Sequence, residues 1–214
     1  VEYLIKGYTI IEKLGEGGLG IVYKAKKDGI GNIVALKVLS PHLVKNDEYI
    51  QRFKIEADIA TKLNHPNIVR GIEANVYNGL YYFAMEFVDG ITLKQYIKER
   101  GRFSEQRAIE IIIQVTEALQ YAEKKNLVHR DIKPENIMIA EDGVKLCDLG
   151  LAKNTADRID ITAPGVVLGT PSYVSPEQAI GKDDLDIRSD IYSLGITFFE
   201  MVTGSLPFQG NTIM

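Results

Sequence analysis

Near residue 90 the chain changes character, and no other feature constrains its fold as much. Before that point, short runs rich in β-branched residues are separated by turn residues; after it, helical segments take over. Two units are expected, 1–88 built of strands with one helix and 89–214 built mainly of helices, an α+β arrangement. The 214 residues are 45% hydrophobic and 25% charged, ordinary values for a globular chain of one large domain or two lobes.

Residues 8–14, 21–26 and 32–39 read as three strands, the first two joined through Gly15-Glu16-Gly17-Gly18-Leu19-Gly20. A G-x-G-x-x-G run also opens dinucleotide-binding βαβ units, which need a helix straight after the glycines and an acid about 20 residues on. Here a strand follows, and Ser40, Pro41 and His42 stand near the required position, so that reading fails. A glycine-rich hairpin is the better account, because without Cβ atoms its backbone N–H groups can approach phosphate oxygens closely. Taken alone, the same run also fits a plain flexible turn.

Lys37 interrupts the apolar strand Val34-Ala35-Leu36-Lys37-Val38. Either it reaches solvent from a sheet edge by its long stem, or a carboxylate holds it for phosphate binding. The next segment, 47–63, carries Ile50, Phe53, Ala57, Ala60 and Leu63 at three- and four-residue spacing, which predicts an amphipathic helix. Glu56 adjoins that stripe and is expected to turn towards the sheet and pair with Lys37. Such a pair at ~4 Å has a Coulomb attraction of about 4 kcal/mol at an effective dielectric of ~20, before desolvation. His65-Pro66-Asn67 then turns the chain into strands near 68–76 and 80–87, and Met85 to Gly90 reads as a connector. Residues 92–100 are expected to form a short helix. Ser104 caps a longer one reaching Lys125, with Ile109, Ile112, Ile113, Thr116, Leu119 and Ala122 along its face.

The stretch His129-Arg130-Asp131-Ile132-Lys133-Pro134-Glu135-Asn136 packs an acid, a base and an amide into eight residues. Pro134 lacks an N–H and bars a regular helix, so an irregular loop leads into the strand Ile137-Met138-Ile139. Twelve residues after Asn136 stands Asp148, behind the strand-like Val144-Lys145-Leu146-Cys147. Two acids and an amide on adjoining loops suit a hard cation, since Mg²⁺ prefers oxygen ligands and usually shares them with phosphate.

Composition removes several alternatives. A net charge of −4 and a pI near 5.5 lack the basic footprint of nucleic-acid binding. One cysteine excludes an internal disulfide framework and suits a reducing, cytoplasmic compartment. No apolar run reaches the ~18 residues that span a bilayer, and no signal segment opens the chain, so no membrane contact is expected from this segment. The start at Val1 rather than Met suggests a fragment, such as the cytosolic part of a larger membrane-anchored protein.

Together these parts resemble a eukaryotic-type serine/threonine protein kinase, most of all its bacterial members through Ser175-Pro176-Glu177-Gln178. The motifs come in family order: the glycine loop 15–20 with Val22, Val34-Ala35-Leu36-Lys37, Glu56, the loop 129–136, Asp148-Leu149-Gly150, Gly169-Thr170-Pro171, Ser175-Pro176-Glu177 and Ser189-Asp190. The likeness covers nearly the whole chain. It implies a bilobal kinase-like fold, with an antiparallel five-stranded sheet and one helix in the N-lobe and a mainly helical C-lobe.

The resemblance also implies ATP- and Mg²⁺-dependent phosphoryl transfer to Ser or Thr hydroxyls of protein substrates. Gly15, Gly17, Gly20, Val22, Ala35, Met85, Glu86, Val88 and Met138 would surround the nucleotide. Lys37 would hold its α- and β-phosphates with Glu56 orienting it. Asp131 would accept the substrate proton, Lys133 would reach the transferred phosphoryl group, and Asn136 and Asp148 would hold Mg²⁺. Arg130 before Asp131 implies control by phosphorylation of the following segment, where Thr155, Thr162 and Ser172 are candidates and Thr162 is favoured. Thr170 would partner Lys133 in substrate docking. His129 would be structural, and Asp190 would brace the catalytic-loop backbone.

The chain departs from the family pattern at a few positions. Leu149 stands where Phe is usual, and Ser175 replaces Ala at a good helix start. Cys147 should line the nucleotide pocket as a small buried residue. Residues 187–202 are apolar nearly all round and are expected to be buried on every side. The helices that the family places after them, with the arginine that usually pairs with Glu177, lie beyond the 214 residues, so a truncated kinase domain is expected. Two other functions fit less of this pattern: a catalytically silent nucleotide-binding regulatory module, and a small-molecule kinase on the same scaffold.

Overall fold

Alternating side chains build the first sheet, in a computed structural model that describes residues 5–148, 171–182 and 184–208. β1 (Tyr8–Glu16), β2 (Gly20–Lys27), β3 (Ile33–Leu39), β4 (Gly71–Tyr77) and β5 (Leu80–Glu86) pair antiparallel in the order β1-β2-β3-β5-β4. β3 lies at the centre and six of its seven residues are buried, as a strand covered on both faces requires. Val34, Leu36 and Val38 share one face with Tyr23, Ala25, Tyr82 and Ala84, and with Ile5 and Tyr8 they form the apolar core of this unit.

The helix α1 (Asp47–Lys62) starts on Asn46, whose side chain accepts from the Glu48 N–H at 2.9 Å. Asp47 and Glu48 in its first turn and Lys62 in its last complement the helix dipole. It buries Ile50, Phe53, Ala57 and Ala60, the predicted stripe, and Glu56 with them. Where α1 crosses β4 there is room for Gly71 alone: a Cβ there would come within 2.6 Å of the Thr61 backbone nitrogen. The fourth strand begins at Gly71 instead of 68, because the Ile68 N–H is taken by His65 O in a turn.

The chain divides into two units, Val1–Asp89 and Gly90–Met214. The second opens with β6 (Gly90–Thr92), which pairs with the hairpin β7 (Ile137–Ala140) and β8 (Gly143–Leu146) in the order β6-β7-β8. Thr92 and Gln95 form a capping box at the start of α2 (Leu93–Arg100). Ser104 caps α3 (Glu105–Glu123), and a 3₁₀ turn, Pro134–Asn136, precedes β7. Beyond these lie the short α4 (Pro176–Ala179) and α5 (Ile187–Thr203), which ends on Gly204 at φ +78°.

Two helix faces differ from expectation. In α3 the buried residues are Ala108, Ile111, Val115, Ala118, Leu119 and Ala122, whereas Ile109 and Ile113 are 46% and 53% exposed. Small residues let this helix approach its neighbours closely, and the packed stripe is rotated off the isoleucines. In α5 the packed face carries Ser189, Asp190, Ser193, Thr197 and Glu200 beside Leu194, Ile196 and Met201. Ile191 and Phe199 are exposed, so the helix is not buried on every side. Ser193 and Thr197 satisfy their hydroxyls on the carbonyls of Ser189 and Ser193, which lets polar residues take buried positions. Among the described residues no helix is long and apolar enough to cross a membrane.

Candidate active site

In the first unit the β-register gathers one set of predicted residues. Val22 lies opposite Lys37, and Ala35 lies opposite Met85, which puts all four on the sheet face away from the apolar core. Lys37 and Glu56 are each 8% exposed, and Lys37 Nζ donates to Glu56 Oε1 at 2.6 Å. A lysine in a central strand cannot snorkel to an edge, so the edge-strand reading of Lys37 does not hold. Glu86 pairs with Val34 and therefore faces the other way, and Val88 follows the strand, half-buried.

The glycines of the β1–β2 turn divide into two kinds. Gly17 and Gly20 close the turn through N–H···O bonds of 2.8 and 3.3 Å. A Cβ on Gly15, Gly17 or Gly18 would meet nothing within 4 Å, leaving open space over the backbone. On Gly20 it would lie 2.0 Å from Val38 O, so that glycine is required by sheet packing.

In the second unit the loop after α3 is folded around Asp131. Lys133 Nζ and Asn136 Nδ2 donate to Asp131 Oδ2 at 2.8 and 3.0 Å, and Asn136 Nδ2 also reaches the Asp131 carbonyl at 2.8 Å. The amide nitrogen thus spends both hydrogens on Asp131, which leaves Asn136 its oxygen to offer a cation. The Cys147 N–H donates to Asn136 O at 2.8 Å, continuing the β7–β8 ladder, so exposed Asp148 follows directly beside Asn136. Asp148 has φ +48°, an uncommon conformation that turns the chain out of the hairpin. Asn136 and Asp148, on these adjoining segments, supply an amide oxygen and a carboxylate, the kind of oxygen donors Mg²⁺ takes together with phosphate. Met138 is half-buried in β7.

His129 is fully buried and does structural work: Nε2 donates to Cys147 O at 2.9 Å and Nδ1 accepts from the Asp131 N–H at 3.3 Å. These two partners fix the proton on Nε2. The Asp190 carboxylate in α5 accepts from the N–H groups of His129 and Arg130 at 2.8 and 2.7 Å. Burial pushes its carboxyl above the ordinary range, and these charge-assisted bonds oppose that shift. Leu149, Gly150, Thr155, Thr162, Gly169 and Thr170 lie outside the described residues.

A model of the family described as "Protein kinase domain" matches residues 8–214. The chain belongs to this family. The kinase domain is 42% identical over 206 residues to a "Probable serine/threonine-protein kinase" of Clostridium perfringens, covering 96% of this chain and 30% of that protein. It is 41% identical over 215 residues to serine/threonine-protein kinase PknB of Mycobacterium leprae, covering 98% and 34%. The chain thus spans about a third of the length of these relatives. Among solved structures, a mutant of the Mycobacterium tuberculosis PknI kinase domain superposes with a TM-score of 0.77 at 31% identity, over 97% of this chain and 78% of that one.

Two parts of the kinase domain escaped the sequence reading. The Tyr173 hydroxyl donates to buried Glu200, whose other oxygen accepts from Lys94 at 3.3 Å. Burial, with Glu200 alongside, pushes the Tyr173 hydroxyl far above its usual value. Partners 27 and 106 residues apart leave no local signal. Gln178, in contrast, stands three residues after Ser175, and that S-x-x-Q spacing is the signature of the capping box the structure contains.

Proposed function

We propose that this chain is the catalytic domain of a serine/threonine protein kinase, moving the γ-phosphoryl group of ATP to Ser or Thr hydroxyls of proteins. The observation that carries this reading is the Asp131 carboxylate, with Lys133 and Asn136 donating to its Oδ2 at 2.8 and 3.0 Å. In the reaction an oxygen–phosphorus bond forms at the substrate hydroxyl and the bond from the γ-phosphorus to the β–γ bridging oxygen breaks. The hydroxyl proton passes to Asp131, and ADP leaves.

The two donors on Oδ2 hold the carboxylate in one rotamer, so its orientation is set before substrate arrives. Lys133 carries positive charge beside it, suited to the charge that develops on the transferred group. Lys37, oriented by Glu56, is assigned to the α- and β-phosphates. Gly15 and Gly17 offer unobstructed backbone to phosphate oxygens, and Val22, Ala35 and Met85 an apolar face to the base. Glu86, Val88, Met138 and Cys147 complete the assigned nucleotide contacts. Asn136 and Asp148 are assigned to Mg²⁺, which when bound would neutralise phosphate charge.

Arg130 and Thr162 are assigned to control by phosphorylation, and Thr170 to substrate docking. The substrates are proteins, and the domain is placed on the cytoplasmic side, where ATP is available. The test is phosphate incorporation from radiolabelled ATP into a generic protein substrate, using the protein that carries this chain. Asp131→Asn and Lys37→Met should each abolish incorporation in folded protein. Signal surviving either change would remove the assignment, and a parent inactive on proteins would favour the silent-module reading.

A further inference from the structure

Arg130 has φ +64°, in the left-handed region that a residue with a Cβ keeps only when its surroundings impose it. Asp190 holds the N–H side of this residue at 2.7 Å. The carbonyl side is held from another element, α4, where Gln178 Nε2 donates to Arg130 O at 2.9 Å. Gln178 is itself oriented, since its Oε1 accepts from the Ser175 N–H at 3.1 Å. Only one orientation of the amide makes both bonds, because the N–H needs an acceptor and the carbonyl a donor. A capping box accepts Glu as readily as Gln at this position. Glu could serve Ser175, but its carboxylate could not donate to Arg130.

The Arg130 carbonyl and the Asp131 N–H belong to one peptide unit. We propose that Gln178 is a positioning residue for Asp131: it fixes the tilt of that peptide plane, and so the direction in which the Asp131 side chain leaves the backbone. It thereby ties the aim of the base to the seating of α4. This inference rests on the reading of Asp131 as the catalytic base.

The test measures kcat, KM for ATP and thermal midpoint in the active protein and in Asp131→Asn, Gln178→Glu, Gln178→Leu and Ser175→Ala. Ser175→Ala removes the hydroxyl that accepts from the Gln178 N–H at 3.3 Å and spares the backbone N–H that orients the Gln178 amide. Misaiming a catalytic group by about 1 Å costs up to about 100-fold, so Gln178→Glu should lower kcat by about 10- to 100-fold with KM for ATP within about twofold. The Gln178→Glu deficit should shrink as pH falls, since a protonated carboxyl can donate to Arg130 again. Ser175→Ala should lower the thermal midpoint and leave kcat nearly unchanged. If Gln178→Leu does not fold, Gln178→Glu, which keeps the cap acceptor, decides alone.

Activity remaining in Asp131→Asn would sink the reading of Asp131 and this inference with it. With Asp131→Asn silent, a Gln178→Glu enzyme as fast as the parent overturns the inference alone. So does a loss that appears as raised KM for ATP, or one that Ser175→Ala reproduces in full.

Discussion

Lys37 and Glu56 show what a single pair of residues contributes and how far it could be foreseen. Both are 8% exposed and bonded at 2.6 Å, so removing either partner breaks a charge pair in a poorly solvated place. Breaking such a pair costs about 3–5 kcal/mol, whereas replacing both members by apolar groups is often neutral. Urea denaturation should therefore find Glu56→Leu and Lys37→Met each strongly destabilised, and the double variant closer to the parent than the sum of the two. Strict additivity would mean that the pair carries no coupling. This contact was legible because a lysine inside an apolar strand and a glutamate beside an apolar helical stripe each need an explanation, and the other supplies it. The Asp131 cluster was legible for a related reason: acid, lysine and amide lie within six residues of one another. Lys94 and Glu200 meet at 3.3 Å across 106 residues, and only the fold brings them together.

At the level of elements, order and type were readable except for β6, which falls where a connector was expected, and the packed faces were less so. Hydrophobic periodicity placed α1 and its stripe correctly, because that stripe is built of large residues that stand out against polar neighbours. In α3 the packed face runs through Ala108, Ala118 and Ala122, and in α5 through Ser189, Ser193 and Thr197. Small residues carry a weak hydrophobic signal, although they allow close helix approach, and the strong signal of Ile109, Ile113 and Ile191 belongs to the outer sides. The glycine-rich hairpin separates two requirements that one motif conceals. Gly20→Ala forces a Cβ to within 2.0 Å of Val38 O, and overpacking of this kind costs typically about 1–3 kcal/mol. Gly17→Ala meets open space, so its thermal midpoint should stay near that of the parent. Because Gly17 is assigned to phosphate contact, its variant should instead raise KM for ATP. The prediction fails if Gly17→Ala is the less stable of the two, or if Gly20→Ala leaves the midpoint unchanged.

For the whole molecule, motif order along the chain was enough to fix the family, since each motif carries chemistry that the fold must house. The response of the molecule to acid was not legible, because it depends on which carboxylates find partners. Hydrogen bonds from Lys13, Lys27, Arg107, Ser189 and Arg188 hold Glu16, Glu73, Glu110, Glu177 and Asp186 below their ordinary values. A carboxylate whose folded value is lowered stabilises the fold fully above its unfolded value, and that contribution is lost as pH falls through the folded one. Asp190 has the opposite sign: its raised value means that the ionised form costs stability, a cost relieved as protonation sets in. Among the described residues, five lowered carboxylates against one raised predict a thermal midpoint that starts to decline near the usual Glu value of 4.5 and keeps declining as pH falls further. The Glu16, Glu110 and Asp186 side chains stay open to solvent over about half their surface, so salt should screen their share and flatten part of the decline. Glu73 is the better shielded case, with Lys27 Nζ at 2.8 Å and the Tyr82 hydroxyl at 3.5 Å. In Glu73→Gln the midpoint should be lower at neutral pH and less steep through the acid range, even at high salt. A Glu73→Gln profile parallel to that of the parent would show that this carboxylate takes no part in acid unfolding.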